Sequence, residues 1–123
     1  MKKDYCFAQD AQGQEMLERF GRALDTARAL EEDWMTKKEE LLKILYEELL
    51  WLESFGKSLP ALRDSSFAEQ TENVRFTLEC VKASLGSKEV PGAVRWQLPC
   101  FLLELREELY FWAYVHPFPE RWA

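Results

Sequence analysis

Apolar residues return along this chain in steps of three and four, and the breaks between the stripes mark its elements. From Gln12 to Trp34 they fall at Met16, Phe20, Ala23, Leu24, Ala27, Leu30 and Trp34, while Arg19, Arg22, Asp25 and Glu32 lie off that stripe. The spacing predicts an amphipathic helix over residues 12–33. Met35 to Glu40 then carries no core-type residue beyond its methionine, and Thr36-Lys37-Lys38-Glu39 has the spacing of a capping box. A second helix is therefore expected over 36–56, starting near Asp33–Thr36, with Leu41, Leu42, Ile44, Leu45, Leu49, Leu52 and Phe55 facing inward. One helix from Gln12 to Phe55 would be about 65 Å long at 1.5 Å per residue, too long for a domain of this size. Partial continuity between the two remains compatible with the pattern.

Gly56 is expected as a left-handed stop, and Pro60 blocks continuation, so Lys57–Asp64 reads as a loop. Ser66-Phe67-Ala68-Glu69 offers a second capping box. After it Phe67, Thr71, Val74, Leu78, Val81 and Leu85 alternate steps of four and three, which predicts a third helix over 66–85, closed by Gly86. Ser87–Gly92 forms a second loop with a Pro91-Gly92 turn. Proline suits a first helical turn, so Pro99 places the start of a fourth helix near Leu98, running over 98–115 to the His116-Pro117-Phe118-Pro119 stop. Ala93–Gln97 has room for one extra turn ahead of it. Four helices with short links read as an all-α, up-and-down antiparallel bundle in a single domain over 1–123.

The length of 123 residues suffices for one core without staples. A net charge of −6 disfavours phosphate backbones and anionic lipids, and the basic residues form no stripe, so neither a nucleic acid nor a membrane is expected as partner. Every apolar run is broken by charge well short of a membrane span. Cys6, Cys80 and Cys100 are odd in number and far apart, which suits neither a disulfide framework nor a zinc site. With no signal-peptide pattern at Met1–Cys6, the expected location is cytoplasmic.

Candidate chemistry is sparse. His116, the single histidine, is placed to face the negative end of a helix dipole, and no histidine-based metal site or triad can be assembled around it. Glu48 points into the apolar face of the second helix, where a carboxylate needs a partner; Arg106 on the fourth helix is the expected one. Glu108 is a further candidate for a buried polar position. An alternative reading sets Glu48, Glu104 and Glu108 across a cavity as ligands of a metal-dependent all-α hydrolase. Glu104-x-x-Glu107 has a suitable spacing, but no Glu-x-x-Asp exists on a second helix. Another alternative is an acidic inhibitor imitating nucleic acid. The sequence calls for no cofactor or metal.

The least ordinary feature is the fourth helix. One face carries Leu98, Leu102, Leu105, Leu109 and Trp112; the other carries Leu103, Tyr110, Phe111 and Tyr114 where polar residues are expected, and the tail adds Phe118 and Trp122. Such a helix is either buried all round, under the N-terminal arm (Tyr5, Phe7) or the Val90–Trp96 loop, or it is half of an interface. The expected function is a non-enzymatic interaction module: a small acidic helical adaptor, dedicated chaperone or inhibitor. It would bind another protein or a second copy of itself through this face, with its Glu-rich rim favouring a basic partner.

Overall fold

The computed structural model describes residues 11–58 and 66–111. It is all-α: α1 (Ala11–Glu32), α2 (Trp34–Ser58), α3 (Phe67–Ala83) and α4 (Leu98–Tyr110), the last entered through a π-helical turn at Ala93–Gln97. Among the described residues there is no strand. Tyr5, Phe7, Trp112, Tyr114, His116, Phe118 and Trp122, with most of the expected Lys57–Asp64 loop, lie outside the described residues.

The first two helices are separate, and only Asp33 divides them. Its N–H donates to the Ala29 carbonyl at 2.7 Å, ending α1, and its own carbonyl accepts from the Thr36 and Lys37 N–H groups at 3.1 and 2.9 Å, beginning α2. Asp33 thus takes the capping position expected of Thr36, and α2 starts at Trp34, within the expected Asp33–Thr36 window. The Thr36 hydroxyl instead donates to the Asp33 carbonyl at 3.4 Å. A corner this tight forces α1 and α2 into an antiparallel hairpin, and Arg19 and Glu48, 14 and 15 residues on either side of it, meet at 2.9 Å.

The remaining helices close a ring in which α1–α2, α2–α3, α3–α4 and α4–α1 are neighbours. Tyr46 with Glu79, and Ser66 with Glu108, fix the antiparallel sense of α2–α3 and α3–α4. At the Asp33 end the Trp34 indole N–H donates to the Ser87 carbonyl at 2.9 Å, and Lys38 Nζ reaches the same oxygen at 3.3 Å. One corner is thereby tied to the α3–α4 link.

The core is the sum of the four stripes. Met16, Phe20, Leu30 and Trp34 of α1 and its corner, Leu45, Leu49 and Leu52 of α2, Val74, Leu78 and Val81 of α3, and Leu98, Leu102, Leu105 and Leu109 of α4 are all buried. Thr71 and Thr77 are buried too, and their hydroxyls donate to the carbonyls of Ala68 and Asn73, so no polar cost remains there. Ile44 departs from expectation and is exposed. It lies about 80° around α2 from the Leu41–Leu45–Leu52 direction, past the edge of what α1 covers.

Two local expectations are corrected. Gly56 is no left-handed stop: α2 runs through it to Ser58, and no described glycine has a positive φ. Its role is contact, because a Cβ there would fall inside the van der Waals envelope of Phe67 Cε2 and Cδ2. Ser66 makes no side-chain cap to α3; its hydroxyl donates to Glu108 at 3.0 Å instead. As expected, an extra turn over Ala93–Gln97 precedes α4, which begins at Leu98 and holds Pro99 in its first turn. The π turn admits it: Leu98 N–H reaches back to the Ala93 carbonyl, and the widened turn relieves the clash a proline ring causes in a regular helix.

Gly56→Ala is therefore expected to destabilise the fold by about 1–3 kcal/mol through overpacking against Phe67, read from urea unfolding, and Phe67→Leu in the same chain to recover part of the loss.

Candidate functional site

α4 is apolar on two opposite sides. At 100° per residue its leucines at 98, 102, 105 and 109 converge on the core, and Cys100, Leu103, Glu104, Glu107, Tyr110 and Phe111 occupy the outward half. Leu103 is 51% exposed, Tyr110 38% and Phe111 42%. The Val90–Trp96 stretch contributes Val94 to the core, while Trp96 stands 70% exposed on the π turn. Four large apolar side chains thus face outward along one helical run.

Between this face and α1 runs a shallow groove. Its walls are Leu24, Ala27, Arg28 and Glu31 of α1 and Pro99, Leu102, Leu103 and Arg106 of α4. Toward the α4 C-terminus it opens past Arg22 and Asp25 to Tyr110. The guanidinium of Arg106 lies 5.2 Å from the Tyr110 ring centroid, a cation–π contact along the groove's edge. The rim is therefore not uniformly Glu-rich. On the α1 side Arg22, Arg28 and Arg106 are interspersed with Glu18, Asp25 and Glu31, while Glu104 and Glu107 stand outward and Glu108 turns toward α3, where it accepts from Ser66.

The expected Glu48–Arg106 pair is not formed. Glu48 is buried and its Oε1 accepts from Arg19 Nη2 at 2.9 Å, because α1 is the neighbour of α2 and α4 lies diagonally across the core. Arg19 also lies 4.3 Å over the ring of Trp51, which stacks on Phe55 at 5.4 Å. The cation is shared between carboxylate and indole. Arg19 Nε and Glu48 Oε2 are buried without a hydrogen bond among the described residues, so the pair is held by one bond rather than two. The same diagonal separates Glu48 from Glu104 and Glu108. No group of three or more His, Cys, Asp or Glu close enough to hold a metal ion occurs among the described residues.

A second polar strip, absent from the sequence reading, joins α2 to α3. Arg75 is paired with Glu53 and lies 3.5 Å from Glu72, while the Tyr46 hydroxyl donates to Glu79 at 2.6 Å. The signal was present: Tyr46 and Glu53 are seven apart on α2, and Glu72, Arg75 and Glu79 follow at helical spacing on α3. Partial burial, then the hydrogen bond to Glu79 and its negative charge, raise the Tyr46 phenol above its ordinary range.

Because the folded state holds this proton more tightly than the unfolded chain, Tyr46 supports stability below about pH 10, and that support fades as pH rises beyond it. One of the four tyrosines should ionise later than the rest in the 295 nm absorbance titration of the folded protein, and Tyr46→Phe should abolish the late phase. Glu48→Ala is expected to lower stability by about 1–3 kcal/mol, because it leaves the Arg19 cation without its carboxylate. Replacing both, with Arg19→Met and Glu48→Leu, should return unfolding to within about 1 kcal/mol of the parent.

Compared with known proteins, the chain matches no family model, no curated protein and no solved structure.

Proposed function

We propose that this protein is a non-enzymatic interaction module that docks a helical segment of another protein on the outward face of α4. The observation that carries the reading is the run of Leu103, Tyr110 and Phe111, all exposed on a helix whose opposite side already supplies four leucines to the core. A solvent-facing helix surface needs no such residues for folding. Rings and leucines in that position bury large area at small entropic cost when a partner covers them.

The groove beside the face gives such a partner a place to lie. An amphipathic helix set along α4 would place its apolar residues between Leu24 and Leu103 and against Tyr110. An adaptor, a dedicated chaperone and an inhibitor would all act through this contact. The glutamates of the hydrolase reading gain no support from their geometry, which keeps Glu48 on Arg19 and Glu108 on Ser66. The free thiols of Cys80 and Cys100 suit a reducing compartment such as the cytoplasm. No helix among the described residues is long and apolar enough to cross a membrane.

Affinity capture from native extract, with the bound proteins identified by mass spectrometry, tests this reading. A partner should be retained by the parent protein and lost, by tenfold or more in recovered amount, on Leu103→Asp and on Phe111→Ala. Circular dichroism of both variants should match the parent. If they fold normally and keep every partner, α4 is not the docking face.

A further inference from the structure

We draw no further inference here: the strongest candidate, the outward face of α4 with Leu103, Tyr110 and Phe111 beside the groove to α1, carries nothing beyond the docking role proposed above, because charges of both signs are interspersed along it and nothing in the structure shows what covers it.

Discussion

The bundle depends on a reversal of direction at a single residue. Asp33 closes α1 with its N–H and opens α2 with its carbonyl, so no slack exists between the two longest helices. Their register is fixed from that point outward. It sets Arg19 against Glu48, and it lays the Met16–Phe20–Leu30 stripe on Leu45, Leu49 and Leu52. Trp34, the first residue past the corner, then carries the constraint sideways. Its ring is buried and its indole N–H holds the Ser87 carbonyl, which positions the link into α4. A corner without play on one side, and a hydrogen bond across the same end, leave the last helix few ways to lie.

That placement gives α4 its dual character. Ring closure requires the helix to fill the gap between α3 and α1, and four leucines on one side accomplish it. The other side is left outside the ring, whatever residues it carries. Leu103 of that side sits in the groove where α4 meets α1. The core side and the exposed side of α4 are separate faces of one helix, so a substitution at Leu103 leaves the buried leucines untouched.

Much of this was legible in the residues. Unbroken alternation of steps through Phe67, Thr71, Val74, Leu78 and Val81 marked α3, and every one of those residues is buried. Glu48 could be placed on an apolar face from angle alone. What failed was chemistry that several residues could supply. Thr36 and Ser66 both had capping spacing, but Asp33 stood nearer the true corner, and Ser66 found a carboxylate across the bundle. Gly56 looked like a helix stop because glycine usually ends helices by its backbone freedom; here it is needed for the absence of a side chain against Phe67. Pro99, by contrast, did mark the start of α4 at Leu98, behind the extra turn over Ala93–Gln97.

Taken alone, the order of residues determined four helices, their core stripes and the excess of apolar surface on the last. Those properties follow from periodicity, which each helix expresses by itself. Only the tertiary arrangement decided who meets whom: Glu48 with Arg19 rather than Arg106, Tyr46 with Glu79, and Glu108 with Ser66. Such pairings depend on which helices are neighbours and which are diagonal. That relation arises from corners, ring closure and relative rotation, and no single stripe encodes it.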